Sequence, residues 1–210
     1  VPFKVAAAEL ADEVREAVEL CGASNCVKVE AGRLIAENFD GIGLVRDIVD
    51  NLGVPLKGRR VLFAGAGGAT RGAIGPFLEA GAGEIVIANR TVSKAEDIRH
   101  LFGPRNSIRA CGYDEIEDGF DVVLNSPSAS LTGTALPIPE HVFAGARLAY
   151  DLAYGKGKTP FLQLAEASGA ERLADGVGML VEQAAEAFDW WRGRRPATGP
   201  VIEALTIPLE

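Results

Sequence analysis

An apolar run that breaks into glycines constrains this chain more than any other feature. Residues 59–65 form a short apolar stretch closing on Gly65, followed by Ala66-Gly67-Gly68-Ala69 and a helix start at Thr70-Arg71. Gly65 suits a tight turn, and Gly67 lets the backbone approach a pyrophosphate at a helix N-terminus. Thr70 stands at the third fingerprint position, where Gly or Ala is usual. A second apolar run, Ile85-Val86-Ile87-Ala88, ends in Asn89-Arg90-Thr91, with Lys94 one helical turn further. At this place a chain that binds NAD keeps an acid for the ribose 2′-hydroxyl. An amide, a guanidinium, a hydroxyl and an ammonium attract a 2′-phosphate instead, so the sequence reads as an NADP site.

The remaining chain fits an α/β fold. Candidate strands at 60–65, 84–88, 106–111, 120–125, 147–152 and 171–174 alternate with helices near 68–80, 91–102 and 159–168 and a looser connection through 127–145. Such alternation predicts a parallel sheet with helices on both faces. Gly72, Gly75 and Pro76 make the first of these helices irregular and predict unusually close or kinked packing on the sheet. Ahead of this region, residues 5–20 read as one amphipathic helix ended by Gly22. Cys26 to Glu30 and Arg33 to Glu37 read as a hairpin, and Asp40 to Leu52 as a helix capped by Asn38 or Asp40. The last helix, about 177–193, ends in Trp190-Trp191, expected to pack in the core.

With 210 residues, 48% hydrophobic, the chain can bury one large or two small cores. A net charge of −8 argues against a nucleic-acid surface. Arg192, Arg194 and Arg195 form a basic cluster, expected to be solvated. Cys21, Cys26 and Cys111 show neither a disulfide framework nor zinc spacing, and His100 and His141 receive no role. No apolar run approaches the ~20 residues of a membrane span, and a soluble cytoplasmic protein is expected.

In chain order stand Val1-Pro2-Phe3-Lys4, Gly22-Ala23-Ser24-Asn25, Asn38-Phe39-Asp40-Gly41, Gly65-Ala66-Gly67-Gly68-Ala69 and Asn89-Arg90-Thr91. They are followed by Asn125-Ser126-Pro127-Ser128, Tyr150-Asp151-Leu152-Ala153-Tyr154, Thr159-Pro160-Phe161-Leu162 and Asp175-Gly176-Val177-Gly178-Met179-Leu180-Val181-Glu182-Gln183. The series resembles the shikimate dehydrogenase family. That resemblance implies reduction of 3-dehydroshikimate to shikimate with NADPH, a step towards aromatic amino acids. It implies Lys4 as the proton-transfer group and Asp40 as its partner beside the substrate. Asn25, Tyr154 and Gln183 become substrate contacts, and Leu152, Gly176 and Met179 lie near the nicotinamide. A monomer or homodimer is expected.

Cys26 and Phe39 replace threonines of the family pattern, and Ser126-Pro127 replaces Ala-Thr; each motif keeps its key polar residue, so tuning is expected. Family members also carry about sixty residues ahead of the position of Val1. These include two serines that hold the substrate carboxylate and a threonine before Pro2. The expected division is a substrate domain from 1–39 and 178–210 and a Rossmann-type NADP domain from 40–177. A non-catalytic NADP-binding module and a quinate/shikimate relative with relaxed ring specificity are the alternatives.

Overall fold

The computed structural model describes residues 3–104, 106–126, 137–155 and 157–209. Six strands make one parallel sheet: β4 (Arg60–Ala64), β5 (Glu84–Ala88), β6 (Ile108–Cys111), β7 (Val122–Asn125), β8 (Leu148–Asp151) and β9 (Leu173–Asp175). Their spatial order is β6-β5-β4-β7-β8-β9, every neighbouring pair parallel. The chain runs outward from β4 to one edge, returns to the centre, and runs outward again from β7. A switch point therefore lies between β4 and β7, where a doubly wound sheet opens a crevice at its carboxyl ends. All six expected strands are present, most of them shorter at their ends.

Both faces of this sheet are covered, which explains why its strands read as continuous apolar runs. Val61, Phe63, Ile85, Ile87, Val122 and Leu124 point to one core. Leu62, Ala64, Val86, Ala88, Val123 and Ala149 alternate to the other. The first core is closed by α3 (Asp40–Arg46), α4 (Gly68–Glu79) and α5 (Val92–Phe102), the second by α6 (Pro160–Ala167). α7 (Val177–Arg192) packs along α3, and α8 (Gly199–Leu205), which the sequence pattern did not suggest, follows it.

The N-terminal region departs from expectation. Instead of one helix over 5–20, it forms α1 (Lys4–Glu9), a two-residue strand β1 (Glu13–Val14) and α2 (Glu16–Cys21). β1 pairs in parallel with Ile35 and Ala36 of β3 (Arg33–Glu37), which itself pairs antiparallel with β2 (Cys26–Glu30). The Asp12 carboxylate accepts the Leu34 amide at 2.8 Å, and the Asp12 and Arg15 amides bond Leu34 and Ala36 carbonyls. Sheet pairing here overrides helix propensity. Gly22, left-handed at φ +69°, ends α2 as expected, and Ala31-Gly32, both at positive φ, turn the expected hairpin.

α3 runs on into a π-helical turn, Asp47–Asn51. Its N-cap is Phe39, neither Asn38 nor Asp40, although the Asn38 Oδ1 accepts the Asp40 amide at 2.9 Å. The inner glycines of α4 face neighbouring helices: a Cβ on Gly72 would meet Cys21 of α2 at 3.4 Å, and one on Gly75 would meet Phe102 of α5 at 3.7 Å. A Cβ on Gly41 of α3 would lie 2.3 Å from the Gly72 carbonyl oxygen. Pro76 has no amide to offer that carbonyl, so a Cα–H of Gly41 points at an oxygen left without its helical donor.

Two further expectations change. Arg195 is not a solvated chain end: it pairs with Glu182 and Glu186 of α7. Trp190 packs with Phe39 edge-to-face, but Trp191 is half exposed and donates its indole N–H to the Val27 carbonyl. Among the described residues, no helix is long and apolar enough to cross a membrane.

Candidate active site

The glycine turn closes β4 at the switch point. Gly65 sits at φ +119°, a conformation that favours glycine, and its amide bonds the Ala88 carbonyl at 2.8 Å. Gly67 is the N-cap of α4 and, lacking a side chain, leaves the first helical amides uncapped. Gly67 and Gly68 are exposed, and a Cβ on Gly68 would meet nothing within 4 Å. Free N–H donors at the positive end of a twelve-residue helix, with open space before them, fit a diphosphate.

Thr70 gains a physical account. It is fully buried, and its hydroxyl donates to the Gly65 carbonyl at 2.7 Å. It also lies 2.7 Å from the Ser126 hydroxyl at the end of β7, which contacts the Ala64 carbonyl at 3.0 Å. Two hydroxyls thus hold these carbonyls inward across the switch point, behind the uncapped first amides of α4. Pro127 and Ser128 of the same motif lie outside the described residues, as do Val1 and Pro2.

Asn89 ties the second strand to this turn. Its Oδ1 accepts the Ala66 amide at 3.3 Å, and its Nδ2 donates to the Thr91 carbonyl at 2.8 Å. Arg90, Thr91 and Lys94 are exposed beside it. Arg90 borders a groove of about 570 Å³ that also includes Val92, Gly112, Tyr113, Asp114 and Glu115. Two acids, Asp114 and Glu115, thus share the groove with Arg90. Glu115 is committed to the Gly112 amide at 2.8 Å.

Leu152, Gly176 and Met179 gather beyond the ends of β8 and β9. The Leu152 amide bonds the Asn125 carbonyl at 3.0 Å, and a Cβ on Gly176 would lie 2.4 Å from the Leu152 carbonyl oxygen. Met179 and Leu152 pack on the same core. Asp151, which sequence reasoning gave no role, holds this loop. It accepts the Ala153 amide at 3.0 Å and the hydroxyl of Thr159, the N-cap of α6, at 2.6 Å. Burial pushes the Asp151 carboxyl upward, opposed by these bonds.

On the other side, four residues expected to meet the substrate form one network. Lys4 Nζ donates to Asp40 Oδ2 at 2.6 Å. Asn25 Nδ2 donates to Asp40 Oδ1 at 2.8 Å and to Gln183 Oε1 at 3.0 Å, while Asn25 Oδ1 accepts the Phe39 amide at 3.0 Å. The elements behind them explain the meeting: Lys4 opens α1, Asp40 opens α3, and Gln183 lies on α7. A Cβ on Gly43 would come within 2.6 Å of the Gln183 amide nitrogen, so glycine permits the α3–α7 approach. The Lys4 side chain remains 36% exposed and that of Asp40 19%, leaving both accessible. Tyr154 stands apart: it is exposed on the loop after β8, with no bond to this network among the described residues.

Sequence reasoning also missed Asp47, Tyr150 and Glu182, all buried polar residues behind the site. Their only sequence signal is a polar residue interrupting an apolar helix or strand face.

A 3-2-1-4-5-6 parallel sheet with an uncapped glycine turn at its switch point, opposed by a lysine–carboxylate pair, defines an α/β oxidoreductase that takes a dinucleotide. Two family models match the chain: "Shikimate / quinate 5-dehydrogenase" over residues 44–134 and "Shikimate 5'-dehydrogenase C-terminal domain" over 176–206. The shikimate dehydrogenase (NADP(+)) of Nitrosospira multiformis is 51% identical over 210 residues, covering 100% of this chain and 76% of that protein. Among solved structures, an Ael1 enzyme from Pseudomonas putida superposes with a TM-score of 0.97 at 58% identity, over 100% of this chain and 78% of its own. The Thermus thermophilus shikimate 5-dehydrogenase, solved with NADP(H) and shikimate, gives 0.83 at 32% identity, over 98% and 76%. The chain belongs to the shikimate dehydrogenase family and spans about three quarters of the length of these relatives.

Proposed function

We propose that this protein reduces 3-dehydroshikimate to shikimate with NADPH, and that the Lys4–Asp40–Asn25–Gln183 network receives the substrate. The observation that carries this reading is the shared helix α7. Its first residues lie beside Gly176 and Met179 on the cofactor side, and its second turn presents Gln183 to the network. Seven residues of helix separate Gly176 from Gln183, about 10 Å. That span suits a nicotinamide and a six-membered ring held face to face.

The Gly65–Ala69 turn would hold NADPH, with Asn89, Arg90, Thr91 and Lys94 at the 2′-phosphate, and the bound cofactor would supply a hydride to the substrate ketone. The chain's own part is to bind, orient and move a proton. Alkoxide charge building on the ketone oxygen is stabilised by the Lys4 ammonium, which then gives up its proton to complete the alcohol. Asp40 fixes Lys4 and favours its charged form before the transfer. The amides of Asn25 and Gln183 can both donate to and accept from ring hydroxyls. Tyr154, on its exposed loop, would reach the substrate once the ring is in place.

The proposed division, 1–39 with 178–210 for substrate and 40–177 for NADP, follows the two sheets and the helices α3 and α7 between them. Three buried free thiols suit a reducing cytoplasm, and a monomer or homodimer is the expected assembly.

Lys4→Ala tests the assignment. It should lower kcat by roughly a hundredfold or more while leaving the Kd for NADPH within a few-fold. Turnover equal to that of the unsubstituted protein would remove Lys4 from the reaction.

A further inference from the structure

A buried polar chain links the nicotinamide side of the site to α3, and the reaction as proposed uses none of it. Tyr150 of β8 is fully buried, and its hydroxyl donates to Asp47 Oδ2 at 2.8 Å. The same hydroxyl accepts the Met179 amide at 3.3 Å. Asp47 Oδ1 accepts Asn51 Nδ2 at 2.9 Å, and that amide also reaches Glu182 Oε1 at 3.0 Å. Arg195 pairs with the far oxygen of Glu182.

The start of α7 explains what this chain is for. A helix needs its first amides satisfied, commonly by the side chain of its N-cap residue. The N-cap here is Gly176, which has no side chain and could not carry one, because the Leu152 carbonyl fills that space. Asp175 Oδ1 takes the Val177 amide at 3.1 Å, and Tyr150, reaching across from β8, takes that of Met179. A Cβ on Gly178 would lie 1.9 Å from Asp47 Oδ1, so the carboxylate occupies the place of a side chain on the first turn of α7. Burial pushes the Asp47 carboxyl up, opposed by its bonds from Asn51 and Tyr150 and by the positive end of the helix.

Stability alone does not account for such an arrangement. A buried ionised group costs desolvation, and apolar replacements of similar volume are often neutral or stabilising. What the arrangement does secure is position. The first turn of α7 is fixed against β8 and α3 together, and α7 carries Gly176 and Met179 at one end and Gln183 two turns on.

We propose that Tyr150, held by Asp47, is a positioning residue for hydride transfer, setting the first turn of α7 and so the separation between nicotinamide and substrate. The inference rests on the site roles proposed above.

Tyr150→Phe, in the protein as its natural gene encodes it, tests this. Hydride transfer is sensitive to small misplacements. The variant should lose about tenfold or more in kcat, with KM for NADPH and dehydroshikimate within about threefold. The deuterium isotope effect with NADPH labelled at the transferred position should rise as hydride transfer becomes limiting. The emission of bound NADPH, a direct reading of the nicotinamide surroundings, should change as well. A lowered Tm with kcat, isotope effect and emission all unchanged would reduce Tyr150 to a structural residue and overturn the inference. Should Tyr150→Phe fail to fold, Asp47→Asn carries the same test, with the same signs expected and the same result contradicting it. Absence of dehydroshikimate turnover in the unsubstituted protein would instead sink the functional reading, while the emission of bound NADPH still decides the role of Tyr150.

Discussion

Asp40 takes both of its strong bonds from residues that the chain brings from far away. Lys4 occupies one carboxylate oxygen and Asn25 the other, so neither donor can shift without disturbing its partner. This is how Lys4 keeps a defined geometry: its helix is anchored by the Ser24 amide on the Lys4 carbonyl at 2.8 Å. Cys26, one residue after Asn25, shows the apolar side of the same place. Opposite Glu37 in the hairpin, its thiol is pushed up to about 11, first by burial and then by the charge of Glu37. A thiol is neutral when protonated, so the folded protein holds this proton where the unfolded chain, at 9.0, releases it. The stability that this group contributes is therefore complete below pH 9 and is lost as pH rises through about 11. Unfolding free energies of the unsubstituted protein and Cys26→Ala should converge across that window. A gap that stays constant would contradict the burial argument.

Three helices meet through glycines, and these contacts set the element scale. Gly41 admits the Gly72 carbonyl, Gly43 admits Gln183, and Gly178 admits the Asp47 carboxylate. Gly178→Ala should cost about 1–3 kcal/mol, because a Cβ would displace a buried charge that has no other place to go. Gly68→Ala is the counterpart. Its Cβ meets nothing within 4 Å, and alanine is the better helix former, so Tm should hold or rise. NADPH affinity should fall all the same, since that Cβ enters the space before the uncapped amides. Thermal melts and NADPH titration of the two variants separate fold from cofactor binding, and the reverse pattern would refute the placement of the diphosphate.

The same scale shows what the sequence could and could not tell. Val61 to Ala64 and Ile85 to Ala88 are buried on both faces, so their apolar runs announced parallel strands without help from the rest of the chain. Residues 5–20 carried a helical pattern that the edge of β3 overrode, and only tertiary pairing decides such a case. Asp47 and Asp50 sit on the same helical segment, yet one is buried and the other exposed. What separates them is Gly178, remote in sequence, so no local reading could single out Asp47. Lys4 and Gln183 were legible only through the family resemblance; composition and spacing give neither residue a reason to meet Asp40.

Across the whole molecule, one sheet supplies the cofactor crevice and a smaller sheet with α1 supplies the lysine. α3 and α7 connect the two, and every residue expected near substrate except Tyr154 belongs to the network that they complete. The chain spans about three quarters of its relatives' length, and its sequence and fold follow theirs along that span. Between the two sides, NADPH is proposed to reduce dehydroshikimate. Following NADPH absorbance in the protein encoded by its natural gene tests this most directly. NADPH oxidation should depend on added 3-dehydroshikimate, be far slower with NADH, and collapse in Lys4→Ala. NADPH consumption that ignores dehydroshikimate, or proceeds as well without the Lys4 amine, would contradict it.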